Sequence, residues 1–125
     1  MVTNVRTLLA DELRELLPPS WVVFNHGVEL DNPMKPTVLV RQSTLARTPG
    51  APRLYRDAGM TVALVEPGLD AEKVEDALDL DVATLIDALE AVPIPGLVWS
   101  DAQRVTFNDR FQGYDIHLTI TTEKD

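Results

Sequence analysis

The chain has 125 residues, 45% hydrophobic and 25% charged, a balance suited to a single globular domain spanning 1–125 with one core. It contains no cysteine, which excludes a disulfide framework, a thiolate nucleophile and a zinc–thiolate centre. A net charge of −9 argues against a nucleic-acid binder, because neutralising phosphates needs a basic surface. No apolar run approaches the length of a membrane span, and the first residues lack the basic and apolar regions of a signal peptide, so neither membrane insertion nor export is expected.

Residues 4–17 predict a helix. Val5, Leu8, Leu9, Leu13, Leu16 and Leu17 recur at helical spacing, Thr3 or Asn4 supplies a cap, and Pro18-Pro19 stops the helix. Trp21–Asn25 is a short strand ended by His26-Gly27, and Asp31 to Pro36 forms a loop. Thr37–Arg47 and Arg53–Val65 then read as two long strands around the tip Thr48-Pro49-Gly50-Ala51-Pro52. Strands of this length run about 36–43 Å. That matches the width of a domain of this size, so the hairpin is expected to project from it. Glu66-Pro67-Gly68 is a turn.

Asp70–Val92 predicts the longest helix, with Val74, Leu78, Val82, Leu85, Leu89 and Val92 along one stripe and Asp70 as cap. Leu97–Ser100 and Arg104–Phe107 read as one interrupted strand or two short ones, with a bulge or bend at Ser100-Asp101-Ala102. After the polar turn Asn108-Asp109-Arg110, Gln112–Thr122 alternates cleanly. Tyr114, Ile116, Leu118 and Ile120 take one face, and Asp115, His117, Thr119 and Thr121 take the other, which should meet water or a partner. Glu123-Lys124-Asp125 is a frayed tail. The order α-β-β-β-α-β-β predicts an α+β fold: an antiparallel sheet with two helices packed on one face and a long projecting hairpin.

Charge is unevenly distributed along the chain. Between Arg41 and Arg56 lie four arginines (Arg41, Arg47, Arg53 and Arg56) and no acid, whereas between Asp70 and Glu90 eight acids face Lys73 alone. Arg41, Arg47, Arg53, Tyr55 and Arg56 are therefore candidates for one interface, and Glu72, Asp76, Asp79, Asp87 and Glu90 for an acidic face that receives it on a neighbouring subunit.

Catalytic signals are missing. Neither His26 nor His117 lies in a nucleophile setting such as Gly-x-Ser-x-Gly. Asp79 and Asp81 point about 200° apart on a helix and cannot chelate together, so no metal site is expected. The Pro-Gly pairs at 49, 67 and 95 lack the context of a phosphate cradle. No catalytic residue and no cofactor is assigned.

Several segments together resemble the tail terminator proteins of long-tailed bacteriophages, particularly phages of actinobacteria. They are the Val5-Arg6-Thr7-Leu8-Leu9 helix, the Pro36-Thr37-Val38-Leu39-Val40-Arg41 strand, the acidic helix 70–92 and the ending Phe111-Gln112-Gly113-Tyr114-Asp115-Ile116-His117-Leu118-Thr119. The resemblance covers nearly the whole chain as an architectural pattern and includes no specific motif. It implies a non-enzymatic ring, usually hexameric, that caps the tail tube, ends its polymerisation and meets the head connector (stopper) protein. The implied partners are further copies of the chain, the major tail tube protein and that connector. DNA would only pass through the lumen. The implied location is the head–tail junction of the virion, after assembly in the host cytoplasm. Three other readings stay open: another neck or minor tail protein; a small-ligand-binding regulatory domain with Asp115, His117 and Thr119 as the floor of its site; and a small hydrolase.

Overall fold

The computed structural model describes residues 4–26, 33–47, 55–68 and 70–123. The elements are α1 (Val5–Leu16), β1 (Val22–Phe24), β2 (Thr37–Arg47), β3 (Tyr55–Val65), α2 (Ala71–Ala91), β4 (Leu97–Phe107) and β5 (Phe111–Glu123), an α+β fold in the expected order. Asn4 caps α1 by accepting from the Thr7 amide at 2.8 Å, and Asp70 caps α2 by accepting from the Lys73 amide at 3.2 Å. Glu123, expected in a tail, is the last residue of β5.

The strands form one sheet in the order β1-β2-β3-β5-β4. It is mixed rather than antiparallel, because β1 runs parallel to β2. The physical reason is the connection between them. Residues 25–36 are about as long as a parallel crossover needs, so the hairpin assumption did not apply to this link. The other pairings are antiparallel.

Both helices cover one face. Leu9, Ala10, Leu13 and Leu17 from the first helical segment and Leu78, Leu85, Ala88 and Leu89 from α2 pack against Val38, Val40, Ala58, Met60, Val62, Leu64, Ile116, Leu118 and Ile120. Arg14 fastens α1 to β1 by donating from Nε and Nη2 to the Val23 carbonyl at 3.2 and 3.0 Å.

The opposite face differs from the expectation of an open polar surface. At the end holding Thr37, Leu39, Thr61, Ala63, Val65 and Phe111 it is buried. Only the end holding Arg41, Thr44, Ala46 and Thr119 is exposed. The two-sided burial of β3 explains its uninterrupted run Thr61-Val62-Ala63-Leu64-Val65.

The β2–β3 pair differs from a free-standing hairpin in one respect. β5 accompanies β3 from Val65↔Gly113 to Tyr55↔Glu123, so the described part of the arm is three-stranded. It does leave the helices behind: residues 41–46 of β2 are exposed on both faces. The tip 48–52, Arg53 and Leu54 lie outside the described residues, as does the side chain of Arg47.

Two glycines permit close approach. A Cβ on Gly113 would collide with the Leu64 carbonyl oxygen and stand 2.6 Å from the Phe107 ring. A Cβ on Gly59 would collide with the Thr44 hydroxyl. We expect Gly113→Ala to lower stability by about 1–3 kcal/mol or more, since backbone must move. Gly59→Ala should cost less, since the Thr44 side chain can change rotamer. Urea unfolding of both variants checks this through the midpoint at unchanged slope.

Candidate functional site

The two charged surfaces expected from the sequence occupy separate parts of the fold. At about 100° per residue, Glu72, Asp76, Asp79, Asp87 and Glu90 fall within an arc of roughly 80° on α2, and all five are exposed. The remaining acids of this region have internal tasks. Asp70 is the N-cap, Glu75 binds Arg104, and Asp81 meets Glu66. Ion pairs among the described residues join Arg14 to Asp11, Arg104 to Glu75, and His117 to Asp101 when the imidazole is protonated. None involves the five exposed acids.

The basic candidates do not form one cluster. Register places Arg56 opposite Arg47 on the helix side of the sheet. Arg41 sits opposite Thr61, and Tyr55 opposite Glu123, both on the far side. Arg41 and Arg56 are exposed, and Tyr55 is borderline at 36%. The arm is thus basic on both faces, and no single surface gathers all of the predicted residues.

Arg104 anchors α2 to β4. Its Nη1 donates to Glu75 Oε2 at 3.1 Å, its Nη2 to Gln112 Oε1 at 3.1 Å, and its guanidinium lies 5.9 Å from the Tyr114 ring centre. The hydrogen bond from Arg104 holds the Glu75 carboxyl below its ordinary range, and Glu75 in turn raises Arg104.

The polar end of the far face carries a Ser100–Asp101–His117 group. His117 Nδ1 is 3.2 Å from Asp101 Oδ1, and the Ser100 hydroxyl lies 3.0 Å from both Asp101 Oδ1 and the His117 carbonyl. A hydrolytic triad needs the hydroxyl to face the imidazole. Here it faces two acceptors, so Ser100 is not primed for attack. The β4 bulge brings it there: register shifts between Trp99 and Asp101, and the extra serine covers a carbonyl of the facing strand. Ser43 does the same at the β2 bulge, donating to the Gly59 carbonyl at 3.0 Å. Asp115, next in the row, has one buried oxygen without a partner, and Thr119 is exposed. Among the described residues no group of three His, Cys, Asp or Glu side chains is placed to hold a metal ion.

Sequence reasoning missed Glu66. It continues the core-facing alternation Ala58, Met60, Val62, Leu64, and that phase was the available signal. Only 4% exposed, its Oε2 is buried and meets no donor. Burial, then a hydrogen bond to Asp81, then repulsion from Asp81 push Glu66 up to about 8. Protonated, it can donate to Asp81 and tie the end of β3 to α2.

No family model matches the chain, and a comparison with curated proteins finds no significant match.

The pH dependence follows from the direction of the Glu66 shift. The carboxyl is raised on folding, so its contribution is complete below about 4.5 and is lost as pH rises through about 8. Stability should fall by on the order of a few kcal/mol across that window. Glu66→Gln keeps a donor for Asp81 and cannot ionise. Its denaturation midpoint should match the wild type near pH 5 and exceed it near pH 8. Parallel pH profiles for the two proteins would refute this.

Proposed function

We propose that this protein is a non-catalytic structural subunit that assembles head-to-tail into a hexameric ring on a bacteriophage tail tube. There it ends tube polymerisation and offers a surface to the head-side connector. The observation that carries the reading is the separation of two exposed, opposite charges. The arm is basic and passes beyond the helices, while α2 presents five acids without cations among the described residues. Opposite patches on different parts of one subunit give heterologous contacts, which make a ring when the rotation closes.

The resemblance to tail terminators supports the rest of the reading: the tube protein and connector as partners, and the head–tail junction of the virion as the place. A net-negative subunit suits a lumen through which DNA passes without binding. The Ser100–Asp101–His117 group on the far face offers no primed nucleophile, which is consistent with a structural role.

Sedimentation velocity and negative-stain microscopy, with and without purified tail tubes, test the proposal. Wild-type protein should form rings alone or on tubes. Arg41→Glu/Arg56→Glu should weaken association at least about tenfold at low salt, and the loss should shrink as salt rises. Adding Asp76→Lys/Asp79→Lys to the same chain should restore assembly. A protein that stays monomeric and ignores tubes refutes the reading.

A further inference from the structure

A cleft of about 330 Å³ opens between the C-terminal end of α2 and the start of β4, lined by Leu89, Glu90, Val92, Leu97, Val98 and Trp99. It lies at a free edge of the sheet, because β4 is the last strand. Leu89 and Val92 form its buried side. Leu97 and Trp99 are half-buried on the helix side of the sheet, whereas the side chain of Val98, in register with Thr119, is on the far side and only its backbone borders the cleft. Its rim is negative for two reasons that add. Glu90 lines it and is exposed, with exposed Asp87 one turn earlier on α2, and the last turn of α2 carries no basic residue to offset the negative end of the helix dipole. An apolar cleft with an uncompensated negative rim calls for an apolar group flanked by cations.

Another part of the same chain presents that combination. Leu45, 54% exposed near the distal end of β2, is on the helix side of the sheet. Arg56 is on the same side, one alternate pair nearer the tip, and the segment 41–56 contains no acid. An exposed leucine alone is ordinary, but this one has a defined geometric relation to the cleft. Leu45 is in register with Ala58, Ala58 with Ile120, and Ile120 with Leu97. Leu45 and Leu97 are the two ends of one cross-strand row. Three strand spacings, about 14 Å, separate them, so Leu45 cannot enter the cleft of its own chain. A neighbouring copy set beside β4 in the same orientation brings its Leu45 to the level of that cleft.

We infer that Leu45 of one copy docks in the Leu89–Val92–Leu97–Trp99 cleft of the next, with Arg56 beside Glu90. The inference rests on the head-to-tail reading above and names its contact. Each subunit contributes a plug at one sheet edge and a socket at the other, so every contact leaves both ends able to repeat it. The contact is apolar at its centre and charged at its margin, the usual division of a specific interface.

The cysteine-free chain makes the test direct. Leu45→Cys/Leu97→Cys protein is treated with a short bis-maleimide, alone and on purified tail tubes, which avoids the strict geometry of a disulfide. A ladder extending beyond the dimer is expected, with neither single variant passing the dimer. The control Leu45→Cys/Leu80→Cys, whose second site is 72% exposed on α2 and absent from the cleft lining, should give no ladder. An equal ladder in that control overturns the docking contact. No ladder from a protein that still forms rings overturns the contact and leaves the ring reading standing. A monomer under both conditions overturns both. A Leu97→Arg variant that folds and assembles like the wild type also overturns the contact, and would give the cleft to a small apolar ligand or another protein.

Discussion

The pairing of β3 with β5 is the constraint on which the rest of the molecule depends. Eleven consecutive residue pairs, from Tyr55↔Glu123 to Val65↔Gly113, join segments far apart in sequence. One is the third strand of an N-terminal unit that includes α1, β1 and β2; the other is the last strand of a C-terminal unit that includes α2 and β4. Their joint faces carry Ala58, Met60, Val62, Leu64, Ile116, Leu118 and Ile120, the floor on which both helices rest. At one end of the pairing the backbones come so close that only a glycine fits at 113. The register there is therefore steric as well as hydrogen-bonded. A one-residue slip would turn each core residue to the wrong face.

That central pair also determines where charge can appear. Helices cover one face, and the far face is buried at the Val65–Phe111 end, so little of the proximal sheet is open to water. The exposed arginines of β2 and β3, Arg41 and Arg56, are therefore toward the distal end, where β2 outruns its cover. Those of α2 collect on the arc opposite Val74, Leu78, Leu85 and Leu89. Acids outside that arc have internal partners: Asp70 caps the helix, Glu75 pairs with Arg104, and Asp81 meets Glu66. The outer acids lack such partners among the described residues. Net charge alone would not reveal this, because it does not distinguish acids that stabilise the fold from acids left for solvent or a partner.

Much of this was legible in the residues. Period-two alternation in β5, helical spacing and caps in α1 and α2, and the bulge around Ser100 all follow from local rules, and the structure bears them out. What escaped depended on contacts between distant segments. Parallel β1 turns on the length of the 25–36 connection rather than on any property of Val22–Phe24. Burial of Ala63 and Val65 on the far face was signalled by the continuous apolar run, but alternation elsewhere suggested a one-sided sheet. Glu66 looked like part of a turn because Pro67-Gly68 follows it, yet it stands in phase with the core. For the candidate site, the sequence supplied the five exposed acids of α2. It could not show that Arg41 and Arg56 face opposite ways, because the pairing of Arg41 with Thr61 decides that.

The two bulges bear on how such a subunit can associate without aggregating. Among the described residues, β2 has a free outer edge beyond its short contact with β1, and β4 is an edge along its whole length. Unprotected edges of this length invite pairing with any exposed strand. Each is interrupted by a serine, Ser43 in one and Ser100 in the other, whose hydroxyl covers a carbonyl of the inner strand. A bulge adds local twist and breaks the run of evenly spaced backbone groups that indiscriminate pairing requires. With backbone pairing discouraged, specificity passes to side chains. The edges then differ in kind: a basic strand with an exposed leucine on one side, and an apolar cleft with an acidic rim on the other. Like edges repel or fail to fit, and unlike edges attract. In the proposed assembly this asymmetry disfavours a symmetric dimer through these surfaces and favours head-to-tail contacts, which end where a ring closes.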